Sequence, residues 1–152
     1  MKTNDLILVQ EADFDINQHY QTLLKINPAG TGAAVLFVGL VRDLDDAKVE
    51  AMQLEHYPGM TEACLQKIVD KAHQRWALEG IHVVHRVGKL LRHDQIVLVG
   101  VTSRHRGDAF AACEFVMDYL KHDAPFWKAE FTEHGKHWVE AKKSDQHALK
   151  RW

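Results

Sequence analysis

Apolar positions along this chain change period several times, and each change marks an element. Leu6 to Gln10 is a short apolar run that reads as a strand. Asp13 to Ile26 places Ile16, Tyr20, Leu23 and Leu24 at helical spacing. After the turn Asn27-Pro28-Ala29-Gly30, the run AAVLFVGLV from Ala33 to Val41 reads as a buried strand. Gly39 within it marks a bulge or a close backbone approach. Arg42 follows, and Asp43 to Lys48 is a charged loop. Val49 to Tyr57 is a second strand, and Pro58-Gly59 turns the chain. Thr61 is the expected N-cap of a helix reaching Trp76, with Leu65, Ile68, Ala72 and Trp76 on one face. Ile81 to Val87 reads as a strand, Gly88 as a break, and Ile96 to Thr102 as a strongly apolar strand. Phe126 to Phe131 and His137 to Val139 are two short strands joined through Glu133-His134-Gly135. Ser144 is placed to cap a last short helix ending at Trp152.

One stretch organises the rest. Thr102 to Lys128 reads TSRHRGDAFAACEFVMDYLKHDAPFWK. It opens on the basic cluster Arg104, His105 and Arg106 and continues into an apolar segment, Ala109 to Leu120, with neither Gly nor Pro inside it. Glu114, Asp118 and Lys121 are spaced by four and three and share one helical stripe. Ala124 precedes Pro125 and is pushed to extended geometry, so the helix is expected to end near Lys121. Lys121 then sits at a helix C-terminus, where the macrodipole favours a cation. Lys128 opens the next element. Two lysines and an Arg/His pair on rigid supports suit one anionic ligand. The plainer alternative is that Lys121 pairs with Asp118 or Glu114 and caps its own helix.

From Ala33 onward the order is strand-strand-helix-strand-strand-helix-strand-strand. Sustained βαβ alternation is missing, which argues for a mixed α+β domain rather than a doubly wound sheet. The 152 residues are expected to form one domain. A formal net charge of −2 gives no global field toward nucleic acid or an acidic membrane surface, so any basic site must be local. No apolar run has the length of a membrane span and no signal-peptide pattern opens the chain, so a cytoplasmic setting is expected.

Other chemistries fit less well. The eleven histidines raise metal binding. However, His82 and His85 fall on opposite faces of their strand, and no carboxylate or cysteine completes a set with His134 and His137. No metal is expected. Cys113 lies in an apolar helix beside Glu114, which raises a thiol pKa, and Cys64 is placed near a helix N-terminus; both read as core residues. Gly30-Thr31-Gly32 lacks the spacing of a phosphate-cradling loop. What remains is an anion site. Arg42 and Arg106 suit bidentate binding of a phosphate, His105 suits hydrogen bonding or proton transfer, and Lys121 and Lys128 suit acid/base work or charge stabilisation.

At these residues the sequence resembles a known family, the large catalytic subunits of molybdopterin synthase. The matching strings are GLVRD around Arg42, LEHYPGMTE from Leu54, HRVG from His85, VGVTSRHR from Val99 and MDYLK ending at Lys121. APFWK ending at Lys128, WVEA from Trp138, SDQ from Ser144 and the terminal KRW continue the series. The resemblance runs essentially end to end. It implies an α/β-hammerhead fold with an additional antiparallel sheet. It also implies a homodimer in which each protomer binds a small ubiquitin-like sulfur carrier, giving a heterotetramer. The carrier's Gly-Gly tail bears a thiocarboxylate, and two sulfur atoms pass to cyclic pyranopterin monophosphate. No resident cofactor, nucleic acid or membrane is implied.

The same resemblance implies site residues. Lys121 and Lys128 are catalytic, with Lys121 at the thiocarboxylate and Lys128 at the opening of the phosphate ring. Substrate binding falls to Leu40, Val41, Arg42, His105, Arg106, Ala129, Glu130 and Lys142, and Phe37 and Met117 line the pocket. Two positions depart from the family pattern. Lys142 stands where arginine is common and lacks its bidentate fork. Leu40 stands where a basic residue is common, so it is expected to contribute backbone rather than side chain. The competing reading is a homologue that binds the carrier without catalysis.

Overall fold

The computed structural model describes residues 4–43, 47–139 and 147–152. Its elements run β1 (Leu6–Gln10), α1 (Ile16–Leu24), β2 (Ala33–Leu40), β3 (Val49–His56), α2 (Met60–Arg75), β4 (Gly80–Arg86), β5 (Gly88–Leu91), β6 (Gln95–Ser103), α3 (Arg106–Asp123), β7 (Phe126–Thr132) and β8 (Gly135–Val139). A 3₁₀ turn, Leu149–Arg151, follows. The mixed α+β class expected from the sequence is the one formed, with the helices and first sheet joined to an added antiparallel sheet.

The first sheet has the order β1-β4-β6-β2, with β1 parallel to β4 and the other pairs antiparallel. Both its faces are covered, which explains why β6 is apolar almost throughout. Ile81, Val83, Val97, Val99 and Val101 point to α2 and α3, meeting Leu65, Ile68, Val69, Phe115 and Val116. Helix α1 covers the opposite face and drives Leu23, fully buried, against the sheet. Gly100 makes this approach possible: a Cβ there would lie 2.8 Å from Leu23 Cδ1. Leu23→Ala is therefore expected to cost about 2–5 kcal/mol, read as a lower denaturation midpoint at unchanged m-value.

The second sheet, β5-β3-β7-β8, is antiparallel throughout. Val41, Val49, Met52, Leu54, Val87 and Leu90 form its core, and Phe126 packs against both this core and the helical one. Phe126 thus stands at the seam between the sheets.

Several local expectations need correction. Gly88 is a turn into a strand rather than a break: at φ +85° it leads straight into β5, which pairs with β3. Four residues with only Leu90 buried carry too little pattern to be seen in sequence. Thr61 does not cap α2. Gly59 is the N-cap, Glu62 Oε1 accepts from its N–H at 3.0 Å, and the buried Thr61 hydroxyl accepts from Tyr57 N at 3.1 Å. Helix α3 extends beyond both expected ends, from Arg106 to Asp123, yet Ala124 is extended (ψ 132°) as its proline neighbour requires. Gly39 behaves as expected: the register slips between Gly39 and Leu40, and a Cβ on Gly39 would lie 2.9 Å from Val97 Cγ1. Ser144 lies outside the described residues. No helix is long and apolar enough to cross a membrane.

Candidate active site

Helix α3 carries a basic cluster at its start and a lysine at its end. At the start, His105 is the extended N-cap (φ −124°, ψ 138°), and its backbone N–H donates to Ser103 Oγ at 3.3 Å. Arg104, His105 and Arg106 are all exposed. Gly32 holds this turn in place: its N–H donates to Ser103 O at 3.0 Å, and a Cβ there would meet Arg104 O. Two arginines and a histidine around a helix N-terminus suit an anion, because exposed N–H groups and the macrodipole add to the side-chain charge.

At the other end, Lys121 lies in the last turn of α3. Lys128 lies on β7, where it pairs with Leu54 of β3 and Val139 of β8. Both lysines act electrostatically on His85 at the end of β4. Burial first, and then the charges of Lys121, His56 and Lys128, hold the His85 imidazole at a pKa of about 4, against the upward pull of its bond to Arg86 O. Arg42 belongs to this end as well. It follows β2, whose last residues run beside Gln95 and Val97 at the start of β6. Its Nη1 donates to Asp43 O at 3.1 Å.

The expected residues therefore divide into two groups. Arg106 and Lys121 are fifteen residues apart on one helix, about 22 Å at 1.5 Å per residue. Arg42 and the His105/Arg106 turn stand at opposite ends of the β2–β6 ladder. Within one chain, Arg42 and Arg106 do not hold the same phosphate.

The remaining expected residues are placed as follows. Val41 is 1% exposed; its N–H donates to Asp94 O at 2.9 Å and its carbonyl accepts from His93 N at 3.0 Å. It anchors Arg42. Leu40 is exposed at the bulge. Ala129 and Glu130 are buried on the central strand β7, with ladder partners on both sides. Lys142 lies outside the described residues. Phe37 and Met117 do share a groove, of about 640 Å³, running between β2 and α3 with Phe110, Glu114, Asp118 and Trp152 in its wall. The carboxylates proposed to pair with Lys121 are engaged from the C-terminus. Arg151 reaches Glu114 at 3.0 Å and Asp118 at 2.8 Å, and Trp152 Nε1 donates to Asp118 at 2.7 Å.

Cys113 is the core residue its sequence context predicts, whereas Cys64 is only half-buried on α2. Burial, with Glu114 adding to it, raises the Cys113 thiol to about 12, leaving no thiolate at neutral pH. His82 and His85 lie on opposite faces of β4, as their spacing requires: His82 meets His19 on the α1 side, while His85 stacks on Phe126. Among the described residues, no three His, Cys, Asp or Glu side chains converge as a metal site.

Known proteins share this fold and sequence. The sequence profile of the MoaE protein family matches residues 9–123. The chain belongs to the MoaE family. A MoaE relative from Ralstonia nicotianae, a molybdopterin synthase catalytic subunit, is 57% identical over 96% of this chain and 83% of its own. The solved molybdopterin biosynthesis MoaE protein of Burkholderia ambifaria superimposes with a TM-score of 0.83 at 54% identity, covering 97% of both chains. Molybdopterin synthase from Staphylococcus aureus has a TM-score of 0.80 at 31% identity, covering 88% of this chain and 96% of its own.

Proposed function

We infer that this MoaE-family chain is the catalytic subunit of a molybdopterin synthase, acting as one domain in the cytoplasm. It converts cyclic pyranopterin monophosphate to molybdopterin, using sulfur from the C-terminal thiocarboxylate of a small ubiquitin-like carrier. What supports this reading is a chain matched along nearly its whole length by molybdopterin synthase catalytic subunits, with Lys121 and Lys128 both acting electrostatically on His85 and Arg42 following β2 at the same end of the first sheet.

In this reading Lys121, on the rigid end of α3, engages the thiocarboxylate carbon or oxygen as sulfur leaves. Lys128, on the middle of a flanked strand, supplies a proton or positive charge while the phosphate ring opens. The phosphate needs a bidentate cation close to that ring. Arg42 provides one from the same chain. His105 and Arg106 lie about 22 Å from Lys121 along α3 and so serve a second site, that of a neighbouring protomer. The active unit is accordingly a homodimer, with one carrier per protomer. Leu40 contributes at the bulge beside Arg42, Ala129 and Glu130 form the floor under Lys128, Phe37 and Met117 line the groove, and Lys142 adds charge.

Reconstitution tests the reading. The wild-type protein, its thiocarboxylated cognate carrier and the cyclic substrate are expected to give a dithiolene product, detected by its fluorescent oxidation derivative. A folded protein that binds the carrier but gives no product would favour the non-catalytic homologue instead.

A further inference from the structure

Glu114 and Asp118 stand four residues apart on α3, where two like charges oppose helix formation. Both also line the groove between β2 and α3, alongside Phe37, Phe110 and Met117. Alone, the two carboxylates would set a negative field along a largely apolar wall. From Gly107 to Asp118 that wall is about 16 Å long at 1.5 Å per residue.

Both carboxylates are held from the last turn of the chain. Arg151 spans them: Nη1 lies 3.0 Å from Glu114 Oε1 and Nη2 lies 2.8 Å from Asp118 Oδ2. One guanidinium thus serves both, one prong of its fork to each. Asp118 also accepts from Trp152 Nε1 at 2.7 Å, and its side chain is only 13% exposed. The turn is itself anchored. The Trp152 ring meets Trp76 and Phe115 edge to face, with centroids 5.6 and 5.5 Å away, and the Arg75 guanidinium lies over all three rings. Arg151 Nε donates to Ala148 O at 3.3 Å and so steadies the fork. Half-exposed ion pairs stabilise a fold little. The larger effect of this arrangement is the field it removes from the groove.

The groove leads toward the proposed reacting groups. Met117 lies one turn before Lys121 on α3, and Phe37 lies five residues before Arg42. Its length fits about five residues of extended chain at about 3.3 Å each. In the function proposed above, the extended chain that must reach this end is the carrier's Gly-Gly tail, and its tip is an anion. Two bare carboxylates along the path would repel it.

We propose that Arg151, held by Trp152, is a specificity-determining residue: it neutralises Glu114 and Asp118 so that the groove admits a chain ending in a negatively charged thiocarboxylate. The proposal rests on the reading of this protein as the partner of such a carrier. Arg151 acts through the two carboxylates and so governs entry of the tail, not the sulfur-transfer step.

Calorimetric binding of the cognate carrier to the full chain tests it, with two forms of the carrier. One ends in the glycine carboxylate, which carries the charge of the thiocarboxylate, and the other ends in a carboxamide. Arg151→Ala is expected to weaken the carboxylate form about three- to tenfold at low salt, and less as salt rises. The carboxamide form is expected to bind the variant and the wild type alike. Arg151→Lys keeps the charge and is expected to restore most of the affinity. With Glu114→Gln and Asp118→Asn already in place there is no charge left to neutralise, so adding Arg151→Ala is expected to change nothing further. In turnover, Arg151→Ala is expected to raise KM for the carrier at nearly unchanged kcat. Denaturant midpoints establish that each variant is folded. An equal loss for both carrier forms, or a loss that persists without the two carboxylates, would assign the turn to packing alone. Wild-type binding that Arg151→Ala leaves unchanged overturns the proposal and spares the functional reading. A wild-type chain that binds neither form sinks both.

Discussion

Mixing two inactive variants, Arg106→Ala and Lys121→Ala, is expected to restore activity. Alone, Lys121→Ala should lose about 10²–10⁴-fold in kcat, the range for removing a group that transfers protons or stabilises developing charge. Arg106→Ala should lose about 10²-fold in kcat/KM through its missing phosphate contacts. Because Arg106 and Lys121 stand at opposite ends of α3, the proposed site takes its two lysines from one protomer and His105 and Arg106 from the partner subunit. A mixed dimer then holds one site with both lesions and one with neither. Random exchange makes half the dimers mixed, so the mixture should recover about one quarter of the wild-type rate. Size-exclusion chromatography confirms exchange, and product formation reads the outcome. A mixture no faster than the mean of its parents would place each site within a single protomer.

Acid is expected to destabilise this protein well before carboxylates titrate. His82 and His85 are buried neutral on opposite faces of β4, each with a folded pKa of about 4. For His82 burial is the largest cause, followed by His19, whose Nδ1 lies 3.0 Å away; Asp5 pulls the other way. The unfolded chain takes up these protons near the ordinary histidine pKa of about 6.5, so it binds more protons than the folded chain between about 4 and 6.5. Stability is therefore complete above about pH 6.5, declines as pH falls through that window, and levels off below about 4. Each ring contributes a loss of about 3 kcal/mol, and together they approach the total stability of an ordinary domain. His19 shifts in the same direction through burial and adds to the loss. Denaturant midpoints at pH 7.5 and pH 5 measure it. His82→Asn keeps an amide near the Nδ1 position facing His19 but cannot titrate, so it should flatten roughly half of the decline. Equal midpoints at the two pH values in the wild type would refute the account.

Most of the fold is legible in the chain because its signals are local. The apolar runs at Ala33–Val41 and Ile96–Thr102, the glycine inside the first, and the Ala124-Pro125 stop of α3 each act over a few residues, and the structure forms these elements, although β2 is an edge strand with none of its residues buried rather than the buried strand its run predicts, because burial depends on strand order. Thr61 misled because its hydroxyl is used by Tyr57 across a turn, which propensity does not encode. Strand β5 leaves no local signal in the sequence because its stability comes from the ladder with β3 and not from its own four residues.

The site divides in the same way. Residue chemistry alone marked Arg42, His105, Arg106, Lys121 and Lys128 as an anion-binding and proton-transferring set, since charged groups beside helix ends and strand breaks carry meaning without coordinates. It could not tell which of them meet. That depends on α3 running back along β6, which parts Arg106 from Lys121 by the length of a helix, and on β7 crossing the seam, which puts Lys128 within electrostatic range of the same His85 that Lys121 acts on. His85 shows the limit most clearly. In the sequence it is one histidine among eleven, distinguished only by the face it takes. Its stacking partner is 41 residues away on Phe126 of the second sheet, and only the packing of the two sheets buries this strand-end imidazole within the field of both lysines.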